Sequence, residues 1–364
     1  VTPRAATVVR PAGPGAPSRP VASAQAGHRT PTVLSPSRTE VLDYLAPAVR
    51  RTVERLSSDL WRRVEEIRLR RGRPLSLVTA SGDLWLTPEG CPAADPGQAQ
   101  VVSAEDTSRT LSLVCQGSVY ALEEQLRHGF VTIAGGHRVG LAGRALVEEG
   151  HVRTITQVAG LNFRLSREVR GAALPVLPLV AGQGRRPRSV LVVSPPGCGK
   201  TTFLRDLVRL MSDGVPELGC PGYRVGLVDE RSEVAACHEG VPQRDVGLRT
   251  DVLDSCPKAQ GILLLLRAMS PEVIAVDEIG RPEDAAALHE AACAGAAVAA
   301  TAHATSLEEL SQRPMLRGLV SAGLFEVFVV LSRRLGPGTV EAVVEGGRPA
   351  EGGWAGGGWP TRGG

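Results

Sequence analysis

Between Ser189 and Leu207 the chain reads SVLVVSPPGCGKTTFLRDL, and these residue types suit the holding of a phosphate chain. In the run Gly197, Cys198, Gly199, Lys200, Thr201 and Thr202, backbone N–H groups can converge on phosphate oxygens, helped by the dipole of the helix that follows. Lys200 is placed to reach β- and γ-phosphates, the Thr201 hydroxyl to ligate Mg²⁺, and Thr202 to contact the region of the α-phosphate. The pattern G-x-x-x-x-G-K-[ST], the Walker A motif, has Ser194 where its first glycine belongs. A residue before proline favours extended backbone, and Pro195 and Pro196 have no N–H to offer. Ser194 is therefore expected to be a tolerated change at the rim, with the cradle built from Gly197 onward.

Acids follow other apolar runs. PEVIAVDEIG supplies Asp277 and Glu278: the aspartate can hold Mg²⁺ through water while the glutamate polarises an attacking water. RVGLVDERSEV supplies Asp229 and Glu230 with Arg231 behind them, so Glu230 competes with Glu278 for the role of general base, and the choice stays open. AAVAATAHATS ends a strand at His303, where an imidazole can link the γ-phosphate to the acids. Phosphoryl-transfer enzymes often borrow an arginine from a neighbouring subunit. Arg249 ranks first for that part, then Arg231 and Arg164, with Arg138 and Arg244 also considered. In a chain this rich in arginine, only Lys200 and Lys258 are lysines, and a compact ammonium at a phosphate site is not replaceable by a planar guanidinium.

These residues need elements to hold them at one edge. SVLVVS, RVGLVD, VIAVDE, AAVAAT and FEVFVVLS read as buried strands. Helical stretches near 200–212, 257–269, 283–294 and 306–321 alternate with them, which predicts a parallel sheet covered on both faces. Ligands of such sheets bind beyond the carboxyl ends of the strands. Upstream, Val41, Leu42, Leu45, Val49, Val53 and Leu56 predict an amphipathic helix, and short strands around EEIRLRRGRPLSLVTASGDLWLTP and GFVTIAGGHRVGLAGRALVEEGHVRTI complete a small α+β domain. The expected division is a disordered leader at 1–38, the α+β domain at 39–170, a Pro- and Gly-bearing linker at 171–188, the P-loop domain at 189–345, and a Gly-rich tail at 346–364. Trp354 and Trp359 in that tail read as part of an unstructured end.

Composition narrows the partners. A formal charge of +3 on 364 residues and 3% aromatic content speak against nucleic acid, which calls for a basic patch and stacking surfaces. The IRLRRGRP run reads as a solvated strand face. Seven cysteines without C-x-x-C spacing point to neither a disulfide framework nor a zinc site. No apolar run approaches the ~20 residues that span a bilayer, so no direct membrane insertion is expected.

The segments SPPGCGKTTFLRDL, VDERSEVAAC, PQRDVGLRTDVLDSCPKAQG, MSPEVIAVDEIGR and ATAHA, with the upstream EIRLRRGRPL, TIAGGHRVGLAG and LNFRLSREVRG, resemble the stage III sporulation protein AA family, relatives of the type II and type IV secretion ATPases. The resemblance covers about residues 40–345. It implies a RecA-like ATPase core of the additional-strand, catalytic-glutamate kind, using ATP and Mg²⁺ and assembling as a hexameric ring. It sets the acidic box at Asp229 and Glu230, Walker B at Asp277 and Glu278, and the histidine box at His303. It further implies a cytoplasmic protein, peripheral to the membrane on the mother-cell side and partnered by membrane-embedded sporulation channel proteins. The expected function is a motor ATPase of such a channel complex; the rivals are a nucleotide-gated scaffold with little turnover and a nucleic-acid translocase.

Overall fold

The computed structural model describes residues 7–9, 31–115, 129–148, 150–182 and 186–346. Most of the expected leader, and the tail with Trp354 and Trp359, lie outside the described residues. The chain divides into two compact units, one of Val33–Glu168 with Ala236–Arg244, the other of Val1–Thr32, Val169–Ala235 and Asp245–Gly364.

In the first unit a seven-stranded sheet runs in the order Pro92–Ala93, Gly82–Leu86, Ser76–Thr79, Val64–Arg70, His151–Arg164, His137–Glu148, Phe130–Ile133, with every pair antiparallel. Alternation sends Ile67 and Leu69 into the core while Glu66, Arg68 and Arg70 face outward, and a register shift between Val64 and Glu66 lets Val64 turn inward as well. All six apolar positions of the expected amphipathic helix are buried. The helix itself is broken into Thr39–Leu42 and Pro47–Glu54, because Pro47 cannot donate to a preceding turn and instead opens a new one. Residues 36–38, assigned to the leader by composition, pack here. The Trp61 indole donates to the Pro36 carbonyl at 3.1 Å and the Arg38 guanidinium lies 5.3 Å above the Trp61 ring.

His137 is fully buried in this unit. Its Nδ1 accepts the Ser166 N–H at 3.1 Å, which leaves Nε2 to donate toward Glu40 Oε2 at 3.3 Å. Burial, with the charge of Arg244, holds the imidazole down at about 4 against an ordinary 6.5, Glu40 notwithstanding. The unfolded chain therefore takes up this proton first, and the stability that neutral His137 contributes is present above pH 6.5 and lost as pH falls toward 4. Linkage gives a loss of about 2 kcal/mol at pH 5 relative to pH 7. Unfolding free energies from urea titrations at the two pH values should converge by that amount in His137→Asn.

The second unit carries an eight-stranded sheet in the order Thr7–Val9, Thr339–Glu345, Val327–Ser332, Val190–Ser194, Ala297–His303, Val273–Val276, Val225–Asp229, Thr250–Asp254. The central strands are apolar except toward their carboxyl ends, where Ser194, Asp229, Thr301 and His303 stand, and all but His303 of their residues are buried, as helix-covered parallel strands must be. The P-loop strand Val190–Ser194 is not adjacent to the Asp277 strand, because Ala297–His303 lies between them, parallel to both. An inserted strand at this place is the arrangement expected of an additional-strand core.

The five runs expected as strands all pair parallel to one another, and one further strand makes the sheet mixed. Val327–Ser332 and Thr339–Glu345 pair antiparallel, since Gly336 and Gly338, at φ +114° and +84°, permit a tight reversal that L side chains resist. The stretch expected as a linker is packed instead: Ala173, Val176, Leu177, Val180 and Ala181 are buried. The Ala173 N–H donates to Asp206 at 2.9 Å and the Tyr223 hydroxyl to the Ala181 carbonyl at 2.7 Å. Its prolines confine helix to Leu177–Val180. The predicted 306–321 helix divides at Pro314 into Leu307–Gln312 and Pro314–Ser321.

Candidate nucleotide site

The strand ends bring Lys200, Thr201, Asp277, Glu278 and His303 into one hydrogen-bonded cluster. Gly197 and Gly199 adopt φ +69° and +86°, the left-handed turns that set successive N–H groups on one side of a nest. Helix Lys200–Asp213 starts directly behind it, with Thr202 in the first turn. The Lys200 side chain is buried and folds back, its Nζ donating to the carbonyls of Ser194 and Pro195, both at 3.1 Å, and meeting His303 Nδ1 at 2.9 Å. Burial lowers its pKa; Glu278 and Asp277 act in the opposite sense. Ser194 is fully buried beneath the lysine, not at the rim as its sequence context suggested. Its hydroxyl donates to the Pro195 carbonyl at 2.9 Å and accepts from Lys200 Nζ at 3.4 Å.

From the lysine the chain of contacts continues. His303 Nε2 meets Glu278 Oε1 at 2.8 Å, and Glu278 Oε2 accepts from Arg231 at 2.7 Å. Glu278 sits at φ +52°, an unfavourable conformation for a residue with a Cβ. It is held there by its own N–H donating to Thr301 Oγ1 at 2.8 Å. The Thr301 hydroxyl in turn donates to Asp277 Oδ1 at 2.5 Å, and the Thr201 hydroxyl to Asp277 Oδ2 at 2.6 Å. A hydroxyl and a carboxylate this close form a hard-oxygen pair that suits Mg²⁺ with the remaining positions left to phosphate and water. Among the described residues no group of three or more His, Cys, Asp or Glu could hold a metal by itself.

The second acidic pair has different work. Asp229 is buried and accepts the N–H groups of Glu233, Val234 and Ala235 at 2.8 to 2.9 Å. Burial nevertheless pushes its carboxyl above the ordinary range. It organises the turn that carries Arg231, and buried Arg205 braces the same turn by donating to the Glu233 and Val234 carbonyls. Glu230 is ion-paired with Lys258 and lies 3.8 Å from Arg281. Its strand is three positions along the sheet from the P-loop strand, against two for Glu278, or ~14 Å against ~10 Å at normal strand spacing.

The arginines sort clearly. Arg231 joins the cluster through Glu278. Arg249, expected to serve a neighbouring subunit's site, stands away from the cluster of its own chain: its guanidinium donates to the Ser212 and Asp213 carbonyls at 2.7 and 3.1 Å, at the carboxyl end of the P-loop helix, ~20 Å of helix from Lys200. Arg164, in the first unit, lies 3.4 Å from Glu66 and in register with Arg138. Arg244 donates to the Ser166 carbonyl.

The family model for "Sporulation stage III, protein AA" matches residues 36–348. The chain belongs to that family. Its similarity to the stage III sporulation protein AA of Bacillus subtilis (strain 168) is 41% identity over 306 residues, 84% of this chain and 94% of that one. Among solved structures it is similar to the Legionella pneumophila ATPase DotB, at TM-score 0.48 and 15% identity over 74% of this chain and 72% of that chain. It is also similar to the pilus retraction motor PilT with bound ADP, at TM-score 0.49 and 17% identity over 73% and 74%. The fold assignment for this member of the family rests on its strand order.

Thr301 and Arg333 are the residues that sequence reading missed. Thr301 stands two positions before His303, so strand alternation alone puts both on one face. Arg333 follows the last apolar strand and donates through Nε to the Gly197 carbonyl at 2.7 Å, a contact between distant segments with no local signal. Replacing Thr301 with valine keeps the shape and removes the hydroxyl, leaving the Glu278 N–H and one Asp277 oxygen without their partner. Turnover should fall roughly tenfold and return in Thr301→Ser, read as kcat on ATP.

Proposed function

We propose that this chain is a Mg²⁺-dependent ATPase that serves as the motor of a membrane-associated sporulation channel complex. What supports the reading most is the continuous contact Lys200–His303–Glu278, joined through Asp277 to the Thr201 hydroxyl at the carboxyl edge of a sheet with an additional strand. In this reading the glycine-lined nest binds the ATP phosphates, and Lys200 exchanges its carbonyl and imidazole partners for them. Thr201, with Asp277 through water, would hold Mg²⁺, which supplies positive charge against the phosphates when bound. Glu278 accepts the proton of the attacking water, and His303 carries the state of the lysine to that carboxylate.

Each Glu278 oxygen carries one contact, to His303 and to Arg231, and a carboxylate oxygen with a second lone pair can still accept from the attacking water. A hexameric ring and membrane-embedded channel partners complete the proposal, which places the protein on the mother-cell side of the membrane. Among the described residues no helix is long and apolar enough to cross a membrane. Phosphate release from ATP by the purified chain, with Mg²⁺ and with EDTA, tests the chemistry. Release confined to the Mg²⁺ arm is expected. Tight ATP binding without release, even with channel partners added, would replace the motor by a nucleotide-gated scaffold.

A further inference from the structure

A peptide unit is planar and trans, so its N–H points away from its C=O. In the phosphate nest, the carbonyl of Gly197 accepts from Arg333 Nε at 2.7 Å and the carbonyl of Cys198 accepts from the Gly338 N–H at 2.8 Å. Two successive carbonyls are thus fixed on one side, which aims the N–H groups of Cys198 and Gly199 to the other. Both donors come from one turn, Arg333–Gly338, between the antiparallel strands. The turn is itself held: Arg334 pairs with Glu341 at 2.9 Å, Ser332 Oγ donates to Glu341 at 2.5 Å and accepts the Arg334 N–H at 3.0 Å, and the Thr339 hydroxyl donates to the Gly336 carbonyl at 2.6 Å.

Positive φ favours glycine at both nest positions, and the turn packs directly against them. A Cβ on Gly197 would lie 2.6 Å from an Arg333 guanidinium nitrogen, and one on Gly199 would lie 3.0 Å from the Gly338 nitrogen. A charged donor on a carbonyl also polarises its peptide and strengthens the N–H at the other end. Arg333 therefore acts on the Cys198 N–H without touching the ligand.

We propose that the Arg333–Gly338 turn is a brace behind the phosphate cradle, and that Arg333 is a positioning residue that sets affinity for the polyphosphate chain rather than the rate of its cleavage. This deepens the ATPase reading and rests on it. Because the brace acts on the cradle and not on a base or sugar, its loss should weaken ATP and inorganic tripolyphosphate by the same factor.

The test measures Kd for ATP and for tripolyphosphate, and kcat at saturating ATP, in wild type, Arg333→Ala, Arg333→Lys and Lys200→Ala, with the melting temperature of each. Expected for Arg333→Ala is a Kd raised about tenfold for both ligands, with kcat within about twofold of wild type, and for Arg333→Lys a recovery of most of the loss. The melting temperature of both variants should stay near that of wild type. Unchanged affinity in Arg333→Ala, beside weakened binding in Lys200→Ala, would overturn the brace and spare the ATPase reading. Unchanged affinity in Lys200→Ala would overturn the ATPase reading itself. Loss for ATP alone would also overturn the brace, by assigning Arg333 to the nucleoside. If Arg333→Ala melts well below wild type, the Lys variant decides: recovered affinity for both ligands supports the brace, and a Lys variant of normal stability that binds both ligands as weakly as Arg333→Ala overturns it.

Discussion

Glu278→Gln is expected to bind ATP as tightly as wild type and to hydrolyse it roughly a hundred- to a thousandfold more slowly. The amide keeps the shape and the contact with His303 but cannot take the proton of the attacking water. Glu230→Gln should reduce kcat by less than about tenfold, because Glu230 is engaged by Lys258 and stands a further strand from the cradle. Single-turnover phosphate release on the two variants decides between the glutamates. A Glu278→Gln enzyme with wild-type turnover, beside a dead Glu230→Gln, would reverse the assignment.

Asp229→Ala should be among the most destabilising single changes in the chain, at about 3–5 kcal/mol. The carboxylate accepts three backbone N–H groups in a buried turn, and alanine leaves all three without a partner. Against a total stability of roughly 5–15 kcal/mol, that threatens the fold. Asp229→Asn retains an acceptor oxygen and removes a charge that burial disfavours, so it should cost a fraction of that and keep measurable turnover. Denaturant midpoints of both variants check the first statement, and kcat of the asparagine variant checks the second. An asparagine variant of normal stability and no activity would make Asp229 a reacting group and not a support for the turn.

Sequence showed the central site because its parts are local. A buried strand, a glycine nest and a helix start are contiguous from Val190 to Asp213, and Asp277, Glu278 and His303 each follow their own apolar run. What it could not show depends on which strands become neighbours. Asp-Glu after a buried strand looks the same at 229 and 277; only the partners differ, Lys258 in one place and His303 in the other. The antiparallel return of Thr339–Glu345, the insertion of Ala297–His303 beside the P-loop strand, and the reach of Arg333 to Gly197 are long-range pairings. Ser194 was read from its proline neighbour alone, and the lysine that lies over it comes from the next helix. The position of Arg249 at the far end of the P-loop helix likewise follows from chain pairing and not from its local sequence.

The measurement that bears most directly on the site is phosphate release from Mg-ATP by the purified chain and by Lys200→Ala, at matched melting temperature. The lysine is buried in the nest and linked through His303 to Glu278, so its removal should lower release by at least ~100-fold. Equal release from the two proteins would mean that the Gly197–Thr202 cradle is not where ATP is hydrolysed.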